Sequence, residues 1–161
     1  MVKPYELEVS MFVPLPIERV FAFFADASNL EAITPQALRF QILTPRPIEM
    51  QPGAMIDYKL RLHGVPIRWR SEITAYQPPV MFVDEQRTGP YKLWRHEHRF
   101  ESTTDAGGTP GTQVRDTVTY VPRGGRLIHR LFVRPELEKI FRHRQARILE
   151  LLLNAPPGEV A

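Results

Sequence analysis

A chain of 161 residues has the length of one average globular domain and can bury a sizeable core. Its 43% hydrophobic and 24% charged residues exclude a disordered chain, and the absence of cysteine excludes disulfides and thiolate metal sites. The net charge of +3 permits an acidic partner without requiring one. We therefore expect a single domain over residues 1–161.

The first part of the chain changes from a strand pattern to a helix pattern. Apolar and polar residues alternate over Tyr5–Val13, which predicts a strand with one buried face. After Pro16, the stretch PLPIERVFAFFADASNLEAIT has apolar side chains at helical spacing and predicts a short helix. Asp26 is a capping residue type and predicts a second short helix through Ile33. The segment LRFQIL, residues 38–43, then predicts another strand.

Five further strand patterns follow, separated by short turn sequences that contain glycine or proline. These connections are too short for crossover helices, so the strands should form an antiparallel meander. The strands are predicted at residues 54–62, 66–76, 81–87, 91–102 and 112–121.

The last segment returns to helical spacing, from Arg126 to about Asn154. Pro135 should kink or divide this helix, and the tail at residues 155–161 is expected to be frayed. The order of elements predicts an α+β fold, with a curved antiparallel sheet around a long C-terminal helix and two short helices after the first strand. Such a fold leaves a pocket, because a helix cannot fill the concave side of a strongly bent sheet.

The chain resembles the START/Bet v 1-like superfamily, also called SRPBCC, which has the helix-grip fold. The stretches that carry the resemblance are PLPIERVFAFFADASNLEAITP, FVDEQRTGPYKLWRHEHRFE, RDTVTYVPRGG and IFRHRQARILELL. Within the superfamily it is most similar to bacterial polyketide cyclase/dehydrase-like and ligand-binding members. The resemblance implies a cavity between the sheet and the C-terminal helix, while members range from lipid carriers to cyclases, so the fold does not select the activity.

The stretch LWRHEHRFE, residues 93–101, places two histidines two positions apart on a predicted strand. Alternate residues of a strand share a face, so Trp94, His96 and His98 point the same way and Glu97 points the opposite way. The face of Glu97 is mostly charged and should meet water. The two histidines are therefore expected to face the interior.

The neighbouring strands should add carboxylates to the histidine face. If the turns form simple hairpins, Asp116 lies opposite or diagonal to His98, within reach of its side chain. Asp84 should then lie on the other side, nearer Trp94, and Gln86 shares its face. The core side of the sheet is thus predicted to carry an unusual polar group.

Three interpretations of this polar group remain open. It can be a buried hydrogen-bonded network that supports the sheet and lines a pocket. His98 or His96, oriented by Asp116, can act as general acid or base in an enzyme of the cyclase/dehydrase kind. The two histidines and a carboxylate can also bind a metal ion. Because only two histidines share this face and Glu97 opposes them, we expect no bound metal and no cofactor.

The function that this pattern favours is a binding or carrier protein for a small, largely hydrophobic molecule: a lipid, a polyketide or an aromatic compound. Its polar group is expected to contact His96, His98, Asp84 and Asp116. Its apolar part is expected to contact Phe40, Trp69, Phe82, Trp94, Val118 and Tyr120, although each of these can also be plain core.

The C-terminal helix is also rich in basic side chains, which suggests an interaction module as a third function. Such a face can dock on an anionic membrane, RNA or an acidic protein, or it can be a solvated face balanced by glutamates. The basic residues are Arg126, Arg130, Arg134, Lys139, Arg142, Arg144 and Arg147.

Other classes of function lack their sequence signals. No phosphate-binding glycine loop or aromatic series for single strands is present, so no nucleic-acid partner is expected. No apolar run approaches the roughly 18 residues of a membrane span, and the first residues carry charges where a secretory signal is apolar. We expect a soluble cytoplasmic protein without a transmembrane segment; no motif points to an oligomeric state.

Overall fold

The computed structural model describes residues 3–156. Its strands are β1 (Tyr5–Val13), β2 (Gln41–Ile42), β3 (Met55–Leu62), β4 (Val65–Gln77), β5 (Met81–Thr88), β6 (Leu93–Thr104) and β7 (Pro110–Val121). Its α-helices are α1 (Ile17–Ala25), α2 (Asn29–Ile33), α3 (Gly125–Ile128) and α4 (Arg134–Asn154). The predicted α+β class and order of elements are confirmed.

The seven strands form one antiparallel sheet in the order β1-β7-β6-β5-β4-β3-β2. The run from β3 to β7 is the predicted meander, in which each strand pairs with the next along the chain. β1 and β2 lie at opposite edges, so the chain must cross the width of the sheet between them. The two short helices α1 and α2 make this crossing, and α2 contacts α4.

The strand predicted at residues 38–43 is mostly absent. A 3-10 turn spans Gln36–Leu38, and Arg39 has a left-handed φ of 44°. A left-handed residue interrupts extended backbone, so only Gln41–Ile42 pair with β3. Phe40 precedes this short strand, and its ring packs 4.8 Å from that of Tyr58.

The strand β6 buries every second residue, as the alternation predicts. Trp94, His96, His98 and Phe100 are all buried. The pairing of β6 with β7 sets His98 directly opposite Asp116. A shift of this register by one residue would turn the whole set toward water, so the buried apolar face holds the register.

The C-terminal helix continues without a break from Gly125 to Asn154, and its geometry changes just before Pro135. A π-helical stretch, His129–Val133, separates α3 from α4, and Pro135 occupies the first turn of α4. Proline lacks the N–H that would bond to the preceding turn, and the wider π turn accommodates this loss. α4 then buries one stripe of side chains: Leu137, Phe141, Ile148 and Leu152.

The two halves of α4 pack on two separate clusters of core side chains. Leu137 and Phe141 lie with Trp69 and Trp94, whereas Ile148 and Leu152 lie with residues of α1 and the adjoining strands. Space remains between these clusters, beneath the middle of α4.

Within residues 3–156, no helix is long and apolar enough to cross a membrane. α4 ends at Asn154, and most of the tail that was predicted to fray, residues 157–161, lies outside the described residues.

Candidate functional site

A cavity of about 160 Å³ lies between the concave face of the sheet and α4. Its wall comes from both short helices, the strands β3 to β6 and α4, and most of its side chains are aromatic or aliphatic. The predicted pocket is thus present in the predicted place.

Seven of the ten side chains that were predicted to contact a ligand line this cavity. They are Phe40, Trp69, Phe82, Asp84, Trp94, His96 and His98. The other three, Asp116, Val118 and Tyr120, lie on β7 and do not line it. Core side chains such as Leu137 cover Val118 and Tyr120, and the Tyr120 hydroxyl lies 2.9 Å from Nε2 of His129 in a hydrogen bond.

Two polar cavity residues on the strands were missed. The hydroxyls of Tyr58 and Ser71 lie 3.0 Å apart in a hydrogen bond, and Trp69 Nε1 donates to Ser71 Oγ at 3.2 Å. Burial, followed by the charge of Asp84, raises the pKa of Tyr58, so this side chain stays a neutral phenol. The signal was strand alternation, since Ser71 shares a face with Trp69 and Ile73.

Arg144 was predicted on the basic outer face of the C-terminal helix, but it lines the cavity. The signal was its spacing, because it lies three residues after Phe141 and four before Ile148, within the buried stripe. Its guanidinium carbon lies 5.4 Å from the centroid of the Phe141 ring. Among residues 3–156 no carboxylate pairs with Arg144 within 4.0 Å, so its charge is available to a ligand.

Two histidines and two aspartates form a compact cluster on the sheet, called here the His–Asp cluster; Asp84, His96 and His98 line the cavity, and Asp116 lies behind them. His98 Nε2 lies 3.2 Å from Asp84 Oδ2, and His98 Nδ1 lies 2.7 Å from Asp116 Oδ1. His96 Nδ1 lies 3.6 Å from Asp84 Oδ2, and His96 Nε2 lies 3.3 Å from Asp116 Oδ1. Each histidine therefore lies between the same two carboxylates, and the predicted proximity of His98 to Asp116 is confirmed.

The contacts with Asp116 are close but poorly directed. Three buried atoms on this side make no well-aligned hydrogen bond: Asp116 Oδ1, His98 Nδ1 and His96 Nε2. His98 and Asp84, by contrast, do form a hydrogen bond. Charge attraction rather than hydrogen-bond geometry therefore dominates on the Asp116 side.

Asp84 and Gln86 are not where the hairpin argument placed them. The register of β5 sets Asp84 opposite His96, so its carboxylate faces both histidines and not mainly Trp94. Gln86 is outside the His–Asp cluster. Its amide group exchanges two hydrogen bonds with the backbone of Tyr91, at 2.9 and 3.2 Å, and thereby closes the turn between β5 and β6.

The His–Asp cluster shifts the pKa values of its two histidines in opposite directions. Burial lowers the pKa of His98, but the charge of Asp116, together with the hydrogen bond and charge of Asp84, outweighs burial and leaves the pKa raised. Burial and the charge of His98 lower the pKa of His96. Burial raises the pKa of both carboxyl groups, yet the histidines outweigh it, and both values are lowered. The arrangement favours a protonated His98 beside a neutral His96.

Three of these side chains could hold a metal ion. One ligand atom from each of Asp84, His96 and His98 lies within 4.8 Å of the others. The sequence argument against a metal considered Glu97, which points away; Asp84 of the neighbouring strand supplies the third ligand instead.

The fold and this cavity define the class of protein as SRPBCC/Bet v 1-like. The family model described as polyketide cyclase / dehydrase and lipid transport matches residues 13–149, and the chain belongs to this family. No curated protein matches the sequence.

Solved structures share the fold at low sequence identity. Ara h 8.0201 has a TM-score of 0.68 at 16% identity, over 94% of this chain and 99% of that chain. Protein CV1439 from Chromobacterium violaceum has a TM-score of 0.67 at 11% identity, over 91% and 96%. TTHA0849 from Thermus thermophilus has a TM-score of 0.64 at 17% identity, over 92% and 94%. Identities this low carry the fold alone.

Proposed function

We propose that the protein binds a small, largely apolar molecule with one polar group in the cavity beneath α4. The observation that carries this proposal is a mostly apolar cavity with a buried His–Asp cluster in its wall. Apolar sites with a few placed polar groups are typical of small-molecule binding. Membership in a family described by cyclases, dehydrases and lipid transport also supports a ligand-binding role.

The cavity size narrows the ligand class. A volume of about 160 Å³ is close to that of a cavity that accepts benzene, and below the roughly 300 Å³ of sites for drug-sized ligands. Of the lipid, polyketide and aromatic classes, a compact aromatic compound of one or two rings therefore fits best. A long acyl chain would require the side chains of α1 and α2 to move.

Addition of 2-naphthol should change the tryptophan fluorescence, because both tryptophans of the chain, Trp69 and Trp94, line the cavity. Replacing His98 with phenylalanine should weaken the binding of 2-naphthol more than the binding of naphthalene. The naphthol hydroxyl would lose its partner, at a cost of about 1–3 kcal/mol, or roughly 5- to 150-fold in Kd. Fluorescence titration of both ligands measures the difference.

The matched control for this titration is His143→Gln, which changes an exposed histidine on α4. It should leave both affinities unchanged. Equal losses for the two ligands in His98→Phe would assign His98 to packing. Failure of wild-type protein to bind either ligand would contradict the proposal.

Catalysis by the same cavity is the second candidate, and the charge state of His98 favours it. His98 lies in the cavity wall with its pKa raised, and it would give a proton to a carbonyl of a bound molecule if that carbonyl displaced Asp84 from Nε2. The two roles differ in one observable: a carrier releases its ligand unchanged, whereas a cyclase or dehydrase alters its mass or its ring pattern.

Membrane docking is the third candidate, and an exposed apolar surface on α3 and the π-helical stretch favours it. Leu127, Leu131 and Phe132 are 68%, 55% and 55% exposed, and Arg126 and Arg130 lie beside them in the sequence. Apolar side chains beside basic ones are typical of segments that lie at a membrane interface.

The rest of the predicted basic face contributes less to docking. Arg134 binds Glu138 and the carbonyl of Glu6, and Arg147 binds Glu150. With Arg144 in the cavity wall, three of the seven basic residues have roles within the fold.

Binding to anionic vesicles should weaken roughly 10- to 30-fold in an Arg126→Gln, Arg130→Gln double variant, because each arginine contributes about 1 kcal/mol near such a surface. Raising the salt from about 0.05 to 0.5 M should also weaken it. Vesicle co-sedimentation measures both effects, and Arg115→Gln, an exposed change on the sheet, is the control. Equal binding to neutral vesicles, or no binding, would exclude anionic-membrane docking.

A further inference from the structure

We propose that Asp84, His96 and His98 form a binding site for one divalent transition-metal ion that faces the cavity. Their three ligand atoms converge within 4.8 Å of one another. The proposal deepens the function proposed above, since the ion would lie where the polar group of a ligand is expected, but ion binding itself needs no ligand.

The spacing of the ligand atoms fits a first-row metal ion. Around an ion at roughly 2.1 Å from each ligand, neighbouring tetrahedral ligand atoms lie about 3.4 Å apart. Asp84 Oδ2 lies 3.2 Å from His98 Nε2 and 3.6 Å from His96 Nδ1. Both distances from Asp84 are close to this spacing.

Asp116 occupies the position of the outer carboxylate that usually supports metal-bound histidines. Its Oδ1 contacts the ring nitrogen of each histidine that does not face Asp84: Nδ1 of His98 and Nε2 of His96. Metal-bound histidines almost always direct their second ring nitrogen to such a group, which fixes the tautomer and the ring orientation. Asp116 is thus assigned a positioning role, in keeping with its place behind the cavity wall.

His96 Nδ1 is the least well paired of the proposed ligand atoms. The side chain of His96 is only 4% exposed, and its Nδ1 lies 3.6 Å from Asp84 Oδ2, beyond hydrogen-bonding distance. A metal ion would give this atom a partner, whereas the cluster nitrogens that are buried without a hydrogen bond, His96 Nε2 and His98 Nδ1, face Asp116. An ion would also take the place of the proton on His98 in balancing the two carboxylates of the His–Asp cluster.

The ligand types indicate which ions the site would take. Two imidazoles and one carboxylate suit Zn²⁺, Fe²⁺, Co²⁺ or Ni²⁺, whereas Mg²⁺ and Ca²⁺ prefer oxygen ligands. Three protein ligands leave at least one coordination position, which would open toward the cavity. A hydroxyl, carbonyl or carboxylate of a bound molecule could occupy this position.

The test is to titrate chelator-treated full-length protein with Co²⁺ and with Zn²⁺. We expect one ion per chain by calorimetry, visible d–d absorption from Co²⁺, and a rise in Tm of roughly 5–10 °C at a hundredfold excess over Kd. Asp84→Asn and His98→Gln should each weaken binding by on the order of 100-fold or more, and Asp116→Asn by roughly 10- to 100-fold. The matched control His143→Gln should bind as tightly as wild type.

Absence of stoichiometric binding to wild-type protein would overturn the proposal, as would full affinity in Asp84→Asn and His98→Gln. If these variants fail to fold, imidazole NMR signals of wild-type protein decide instead. Zn²⁺ should shift those of His96 and His98 among the five histidines, and shifts confined to the other three would refute the site. Fluorescence titration with naphthalene in excess chelator tests the cavity separately, so failure of the metal site and failure of ligand binding are distinguishable.

Discussion

Replacing Phe141 with alanine should lower the free energy of unfolding by about 3–5 kcal/mol. Phe141 is 2% exposed and lies on the inner face of α4, in the same core cluster as Trp69, Trp94 and Val118. The loss combines the transfer of the ring to water with the void that remains, because α4 cannot collapse onto the sheet without displacing Leu137. Urea denaturation followed by circular dichroism measures this loss.

Phe132→Ala is the matched control for Phe141→Ala. The same ring is removed only nine positions earlier, but Phe132 is largely exposed, so stability should change by no more than about 0.5 kcal/mol. Because Phe141 also lines the cavity, its removal enlarges the binding space, and a saturating aromatic ligand should recover part of the lost stability. A loss below about 1 kcal/mol in Phe141→Ala would contradict the packing of α4 on the sheet.

Replacing Asp116 with alanine should cost a similar amount, about 3–5 kcal/mol, measured in the presence of a chelator. Asp116 is one of the two carboxylates that both buried histidines share, and it lies 2.7 Å from His98 and 3.3 Å from His96. Removal of one partner from a buried charged group leaves the other without compensation, and this is more costly than the pair is stabilising.

Two further variants show which property of Asp116 causes this loss: its charge rather than its volume, and its burial. Asp116→Asn keeps the shape and loses the charge, so most of the loss should persist in this variant. Asp57→Ala breaks the exposed pair with Arg70 and should have a far smaller effect, since water replaces the lost partner. Wild-type stability in Asp116→Asn would show that the His–Asp cluster does not need this negative charge.

Much of the fold follows from periodicity alone, and β6 shows why. A strand has a side-chain period of two, so the order Trp94, His96, His98 and Phe100 requires one shared face, and the charged residues between them require that face to be buried. The change to helical spacing after β7 likewise predicted the last helix, and Pro135 lies just after the stretch where its geometry changes. These features depend on local patterns of residue types, which can be identified in the sequence alone.

The composition of the site depended more on which strands and helices lie close together. A local sequence pattern does not contain this information. Asp84 was predicted near Trp94, yet the register of β5 sets it opposite His96 and makes it the third potential metal ligand. The sequence indicated that Arg144 is a solvated basic residue, but the position of α4 over the sheet puts it in the cavity wall. In both cases the chemical role of a charged side chain depends on what the neighbouring element brings within a few ångströms.

The sequence by itself therefore determined the α+β class, the order of elements, the inward face of β6 and the pairing of His98 with Asp116, because each depends on side-chain period and short turns. Only the tertiary structure decided that Phe40 follows a left-handed turn, that Val118 and Tyr120 belong to the core, and how large the cavity beneath α4 is. The shape of the cavity depends on how closely the helix packs against the sheet and on the side-chain rotamers between them. Neither hydrophobic periodicity nor composition specifies these.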